Sequence, residues 1–241
     1  MRYAPEDRYE LDRALPVSTA VVQTGSPNVN KAISVLAAVF LLAAGSAVAK
    51  PFQEGVQYVP IQPQPAMAAG DQVEVIEFFW YGCPHCRDFE PTMLSWAAEL
   101  PNNVTLVQMP VMFGGPADLH AQMYYALEGM GELERLHGKI FDAMHVDKRD
   151  LKTRAAVDAF LEENGVDMAQ FDEAMGSFAV AAKANRARAL MRRYGVRSVP
   201  SLVVDGRYRT GTGFNSYEDI TEVIDHVVDK VVNQRQAQAA R

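Results

Sequence analysis

The chain has 241 residues, of which 49% are hydrophobic and 22% are charged, and its formal net charge at pH 7 is −7. This composition is typical of a globular protein, with enough length for one sizeable core or two small ones. The acidic balance and the lack of a basic stripe argue against a nucleic-acid partner. The chain has only two cysteines, Cys83 and Cys86, which are too few and too close together to staple a fold. A chemical role for the pair is therefore favoured.

Residues 29–49 have the pattern of a secretory signal peptide. Lys31 precedes an apolar run, and Ala47-Val48-Ala49 then supplies small residues at the positions that a signal peptidase reads. We predict cleavage after Ala49, which gives a mature chain that begins at Lys50 in the periplasm. The uncharged stretch is 18 residues long, so an uncleaved membrane helix is the alternative.

Residues 1–28 do not fit the start of a signal peptide. They carry three prolines and mixed charge, without a clear hydrophobic period. We expect the biological start to lie near Val29, read through an alternative start codon. The other interpretation is a disordered N-terminal extension.

The first part of the mature chain predicts strands around one helix. Residues 56–59 can form a short edge strand, and residues 73–80 are β-branched and aromatic, as in a buried strand. A helix is predicted from Pro84 to about Leu100, since proline is tolerated in a first helical turn. Residues 104–109 form the next predicted strand. We assign residues 50–112 to the first part of an α/β domain.

Residues 113–194 have apolar side chains at helical spacing throughout, which predicts an inserted all-helical domain. Gly195 is expected to end the last of these helices. His120, His137 and His145 fall on or near the helices, and we expect them at the surface or at the edge of the core.

Residues 195–233 resume the α/β pattern. A strand over residues 201–204 is followed by Asp205-Gly206, which is a hairpin signal, and then by a returning strand and an apolar-striped helix. Residues 234–241 are expected to fray. The complete order, with strands and a helix before the insertion and a hairpin and a helix after it, predicts a thioredoxin-like α/β fold interrupted by the helical domain.

The motif Cys83-Pro84-His85-Cys86 lies between a buried strand and a helix. A cysteine at a helix start is stabilised as the thiolate by unpaired N–H groups and the helix dipole, so Cys83 is the candidate nucleophile. The two-residue spacing lets Cys86 resolve a mixed disulfide, and His85 adds a donor and, when protonated, a positive charge. Half of a zinc site and a purely structural bridge are the alternatives.

The residues around this motif resemble the DsbA family of periplasmic thiol oxidases. The likeness is carried by the segment from Glu77 to Cys86, EFFWYGCPHC, by Val196-Arg197-Ser198-Val199-Pro200, and by the hairpin over residues 203–208. It covers roughly residues 52–230, and the combination of CPHC with the Val-Pro segment is more specific than CxxC alone.

This resemblance implies a function and its partners. The protein would donate its Cys83–Cys86 disulfide to newly exported, unfolded proteins and be re-oxidised by a membrane partner of the DsbB type. We expect a monomer that needs no metal and no soluble cofactor. A disulfide reductase or isomerase, and a non-catalytic chaperone that binds peptides in the same groove, are the alternative functions.

The resemblance also assigns three further residues. Val199 and Pro200 would be joined by a cis bond that exposes the Val199 backbone to substrate, whereas the residues alone also allow a proline that opens a strand. Glu77 would be a buried acid that exchanges a proton with Cys86, whereas strand parity alone also allows a solvated carboxylate. The best-known family members have a lysine beside that acid, and this chain has Gln108 there, which puts lysine-coupled tuning in doubt.

Overall fold

The computed structural model describes residues 52–66 and 70–240, so the predictions for residues 1–28 and 29–49 lie outside the described residues. Within the described part there are five strands, at positions close to those that the sequence predicts. Their bounds are β1 Tyr58–Pro60, β2 Val73–Phe79, β3 Val104–Pro110, β4 Ser201–Val204 and β5 Tyr208–Thr210.

The strands form one sheet in the order β1-β5-β4-β2-β3. The pair β2 and β3 is parallel, with Glu77 opposite Gln108, and the remaining pairs are antiparallel. Strand β2 lies inside the sheet, between β4 and β3, and six of its seven residues are buried. A buried interior strand therefore leads directly into the cysteine motif.

Seven helices accompany the sheet in the described residues. Helix α1 follows β2 and begins at Pro84, whose fixed φ suits the first helical position. Five helices then separate β3 from β4, and the last follows β5. The bounds are α1 Pro84–Ala98, α2 Pro116–Met130, α3 Leu133–His145, α4 Arg154–Glu163, α5 Met168–Met175, α6 Phe178–Tyr194 and α7 Tyr217–Ala239.

Two apolar clusters make up the core. One contains side chains of β2, α1 and α7, including Phe89, Met93 and Val227. The other joins β2 and β3 to helices α2–α6 and includes Phe79, Tyr81 and both cysteines. Helix α1 therefore contributes to both clusters, so its N-terminus is fixed by packing from two directions.

Two predicted turns have the backbone that their residues favour. Asp205 and Gly206 both have positive φ, 55° and 62°, as the two central residues of a type I′ turn require. Gly195 ends α6 in the left-handed conformation, with φ 64° and ψ 33°, where a side chain would be unfavourable.

The expectation that the tail frays from residue 234 is wrong for most of the tail, because α7 continues to Ala239. Arg235 explains this continuation. Its guanidinium is buried and donates to the carbonyl oxygens of Gly70 and Gln72 and to Asp205. These bonds attach the C-terminal turns to the end of the sheet.

The order of the elements and the mixed sheet establish a thioredoxin-like α/β fold, with helices α2–α6 inserted between β3 and β4. None of the helices within residues 52–66 and 70–240 combines the length and the apolar character needed to cross a membrane. The boundaries proposed for the inserted domain stay predictions, since the described residues group as one compact unit.

Candidate active site

The cysteine motif begins at the cap of α1. Cys83 is the N-cap residue with extended backbone angles, φ −93° and ψ 115°, and its N–H donates to the carbonyl of Trp80 at 2.9 Å. The Trp80 indole lies so close to the backbone of Gly82 that an added Cβ would come within 2.4 Å of the ring. The turn that presents Cys83 therefore depends on a residue without a side chain.

The two thiols are free and lie in different surroundings. Cys86 is fully buried, whereas Cys83 keeps 9% of its surface exposed. The Cys86 thiol, the backbone N–H groups of Cys86 and His85, and the His85 side chain lower the pKa of Cys83 to about 6. The hydrogen bond with Cys83, burial and the Cys83 charge raise the pKa of Cys86 well above its usual range. At neutral pH this arrangement holds a thiolate at Cys83 and a thiol at Cys86.

Pro84 and His85 are exposed on the outer side of this first turn. The His85 Nδ1 lies 3.4 Å from the hydroxyl of Tyr217, the first residue of α7. Tyr217 in turn stacks on Phe89, with ring centroids 5.4 Å apart. Tyr217 is thus a neighbour of the motif that the sequence analysis missed, since nothing local to it predicts this contact.

The Val199–Pro200 segment lies beside the nucleophile. The bond between the two residues is cis, as the resemblance implies. The Cys83 Sγ lies 3.5 Å from the carbonyl oxygen of Val199, to which only its protonated form can donate. Both residues are half-buried, so part of their surface faces solvent next to the sulfur. This geometry brings Cys83, Val199 and Pro200 together in one accessible place.

Glu77 points into the core, and the alternative of a solvated carboxylate is wrong. Its side chain is fully buried on β2, and burial followed by the nearby charge of Glu90 raises the pKa of Glu77 to about 8. Gln108 Nε2 donates to Glu77 Oε2 at 3.0 Å, while Glu77 Oε1 has no hydrogen-bond partner within the described residues. Glu77 is therefore protonated at neutral pH, and its charged form would raise the pKa of Cys86.

A second buried acid and a histidine complete the cluster. Glu90, on the inner side of α1, accepts from Gln108 Nε2 at 3.0 Å. The Nε2 atom of His137, on α3, lies 3.1 Å from Glu90 Oε1, and its Nδ1 lies 2.7 Å from the Tyr81 hydroxyl. His137 lies at the edge of the core, as expected, with 11% of its side chain exposed. The same expectation is wrong for His120, which is fully buried.

Sequence reasoning could have found Glu90, because it follows Cys86 by four residues and so shares its face of α1. No comparable signal marks His137. It lies on α3, a different helix from Glu90. The pattern of residues along α3 shows which face of that helix is apolar, but not which residues of α1 the face contacts.

Taken together, a dithiol at the start of a helix, a lowered pKa at its first cysteine and a cis-proline loop within a thioredoxin-like fold define a thiol–disulfide oxidoreductase. The family model for the DSBA-like thioredoxin domain matches residues 74–225. The chain belongs to this DsbA-like family.

Curated relatives agree with this assignment. The thiol:disulfide interchange protein DsbA of Burkholderia cepacia is 38% identical over 209 residues, which cover 85% of this chain and 99% of the relative. The protein of the same name from Pseudomonas syringae pv. tomato is 36% identical, with 81% of this chain and 92% of the relative covered.

Solved structures show the same fold. The crystal structure of Pseudomonas aeruginosa DsbA matches with a TM-score of 0.70 and 34% identity, over 79% of this chain and 97% of that one. The oxidoreductase NmDsbA1 from N. meningitidis matches with a TM-score of 0.66 and 25% identity, over 76% of this chain and 96% of that one. The protein is accordingly a DsbA-like oxidoreductase.

Proposed function

We propose that the protein donates the Cys83–Cys86 disulfide to unfolded proteins that have just been exported to the periplasm. The observation that carries this proposal is the contrast between the two sulfurs. A stabilised thiolate at Cys83 makes the reduced form favourable, and a disulfide whose reduced form is favoured is a strong oxidant. The stabilised thiolate alone is sufficient to favour the reduced form over the oxidised form.

The first step transfers the bond to the substrate. A substrate thiolate attacks the sulfur of Cys83 and forms a mixed disulfide, while the electron pair of the broken bond leaves on Cys86. Because Glu77 is protonated at neutral pH, it can give its proton to the buried Cys86 thiolate, which then becomes neutral. This step therefore leaves no uncompensated sulfur charge in the core.

The second step releases the product. A second substrate thiolate attacks the substrate sulfur of the mixed disulfide, and Cys83 leaves as the thiolate that its surroundings stabilise. The half-buried Val199 and Pro200 lie beside Cys83 and are proposed to bind the extended substrate through the backbone of Val199. Pro84 and His85 form the exposed side of the same turn, and the charge of His85 favours the Cys83 thiolate.

Re-oxidation reverses the proton transfer. The Cys83 thiolate attacks a disulfide of the re-oxidising partner, and the fraction of Glu77 that is ionised takes the proton of Cys86. The Cys86 thiolate then displaces the partner from Cys83. We propose a membrane partner of the DsbB type, a monomeric oxidase, and export directed by residues 29–49. The family assignment and the signal-peptide pattern support these proposals.

The experiment that tests this function is the equilibrium of the Cys83–Cys86 pair with glutathione, combined with oxidation of a reduced two-cysteine peptide. We expect the protein to oxidise the peptide stoichiometrically and to be reduced at a glutathione ratio that leaves thioredoxin-type reductases oxidised. Cys83→Ser is the control and should be inactive. A disulfide that resists reduction by glutathione would identify a reductase instead.

A further inference from the structure

Two acids share one buried site below Cys86. Glu77 is fully buried and Glu90 is 7% exposed. A single amide nitrogen, Nε2 of Gln108, lies 3.0 Å from an oxygen of each carboxyl group. The two amide hydrogens can thus satisfy one oxygen on each acid, but the amide carries no charge. A hydrogen-bonded but uncompensated pair of acids holds on to protons, since two adjacent carboxylates repel each other.

A cation beside one of the acids would favour the ionised form of that acid in this place. Within the described residues, no arginine or lysine forms a hydrogen bond or an ion pair with Glu77 or Glu90. The group that can carry a positive charge there is His137, whose Nε2 lies 3.1 Å from Glu90 Oε1, at the distance of an ion pair but without the alignment of a hydrogen bond. Both side chains are close to 10% exposed, so water screens this interaction only weakly.

The orientation of the His137 ring is fixed by its surroundings. Its Nδ1 lies 2.7 Å from the hydroxyl of fully buried Tyr81, and burial raises the pKa of Tyr81, which keeps that hydroxyl neutral. The rings of Phe79 and Phe141 pack edge-on against the imidazole at 5.4 and 5.2 Å. This packing directs Nε2 towards Glu90.

The titratable groups that face His137 come from several elements. Glu90 faces it from α1, Tyr81 from the segment after β2, and Tyr124 from α2, with its ring centroid 6.0 Å away. Glu77 lies beyond Glu90, and the side-chain amide of Gln108 is hydrogen-bonded to both acids. Burial raises the pKa of Tyr124, so the two tyrosines stay neutral and the acids are the only partners for a charge on His137 among these groups.

We propose that His137 is a positioning residue that supplies the positive charge of this cluster, so that the Glu77–Glu90 pair holds one proton instead of two at neutral pH. In this arrangement Glu90 is ionised against His137, and Glu77 carries the proton that it exchanges with Cys86. The inference rests on the proton-transfer role proposed for Glu77. Through His137, the inserted helix α3 would affect the proton transfer between Glu77 and Cys86.

His137→Gln tests the proposal, because glutamine keeps a hydrogen-bonding group but cannot be charged. His120→Gln is the matched control. His120 is also buried and is hydrogen-bonded at both ring nitrogens, but its partners are Trp80 and the carbonyl of Leu151. Loss of a buried imidazole is thus common to both variants, and loss of the contact with an acid is specific to one.

The readout is the carboxyl ¹³C titration of reduced protein labelled at glutamate. In His137→Gln, we expect the pair to release its first proton about one pH unit higher than in the wild type, because ionised Glu90 loses its cation. The pH profile for re-oxidation through Cys86 should move upward with it. An unchanged midpoint, or an equal change in His120→Gln, would overturn the proposal.

If His137→Gln does not fold, the wild-type protein still gives the answer. The ¹⁵N shifts of the His137 ring at pH 7 should show two protonated nitrogens, and one unprotonated nitrogen would contradict the proposal. The glutathione equilibrium tests the oxidase function separately. A strongly oxidising disulfide with an uncharged His137 would refute this inference alone, and a weakly oxidising one with a charged His137 would refute the oxidase function alone.

Discussion

Cys83 and Cys86 differ in chemistry because one turn of helix gives them different neighbours. The Cys86 thiol, backbone N–H groups and the His85 side chain stabilise the thiolate of Cys83. Cys86, in contrast, is surrounded by the core. The sequence predicts this contrast, since placement at a helix start is visible in the pattern around the motif. The inward direction of Glu77 is what the family resemblance implies, since the parity of β2 alone also allows a solvated carboxylate. The contact of His137 with Glu90 could not be predicted, because it depends on how α3 packs against α1.

The hydrogen bond from Cys86 is the largest contribution to the lowered pKa of Cys83, so removing it should raise that pKa. In Cys86→Ala, we expect the midpoint for alkylation of Cys83 to rise from about 6 by one to two pH units, since a hydrogen bond to a charged group contributes roughly 1.5–3 kcal/mol. The measurement is the rate of iodoacetamide labelling against pH.

Cys86→Ser is the control for that change, because a serine hydroxyl can still donate to the sulfur. Its midpoint should stay near that of the wild type. Equal midpoints in the alanine and serine variants would show that the helix start and His85 suffice to stabilise the thiolate.

The turn between β2 and α1 depends on the close approach of the Trp80 side chain to the backbone of Gly82. In Gly82→Ala, the new Cβ would overlap the Trp80 ring, so the indole must move and its hydrogen bond to His120 should break. We expect a loss of roughly 1–3 kcal/mol in the free energy of unfolding, as for overpacked sites. Urea unfolding followed by tryptophan fluorescence measures this.

Gly138→Ala provides the comparison for this substitution. Gly138 lies inside α3 with open space around its Cα. Alanine there should stabilise the protein by roughly 0.5–1 kcal/mol, because it restricts the unfolded chain. If both variants lose stability equally, the contact with Trp80 is not the cause.

The end of α7 is held by long-range contacts that the sequence pattern does not predict. Polar residues beyond position 233 predict fraying, but Arg235 is buried by long-range partners that no local pattern reveals. In Arg235→Met, Asp205 loses its partner while remaining 11% exposed, and we expect roughly 3 kcal/mol of destabilisation. Hydrogen exchange of residues 234–239 should accelerate. Gln236→Met, at an exposed neighbour, should leave both quantities unchanged.

The redox state of Cys83 and Cys86 affects the free energy of unfolding of the whole protein. The pKa of Cys83 is lowered from 9.0 to about 6 in the reduced fold, so its stabilising contribution is present in full above pH 9 and is lost as the pH falls through 6. The oxidised form has no such group. The free energy of unfolding of reduced protein, minus that of oxidised protein, should therefore rise by about 1.4 kcal/mol per pH unit within this window.

Calorimetry on both redox forms between pH 5 and pH 9 checks this linkage. Glu77, with its raised pKa of about 8, lowers stability as the pH rises, but it is present in both forms and largely cancels in the difference. In Cys83→Ser the dependence should vanish. A difference that is flat across the window would mean that the thiolate does not stabilise the fold.

The contact between the Cys83 sulfur and the Val199 carbonyl joins residues 116 positions apart. A nascent chain that has emerged only as far as residue 198 already displays both thiols, but it lacks Val199, β4 and Tyr217. Its cysteines then face neither the loop nor the last helix that complete the site. The reactive environment of the dithiol is thus acquired late, after nearly the whole chain is available to fold, which separates the synthesis of the thiols from the onset of their chemistry.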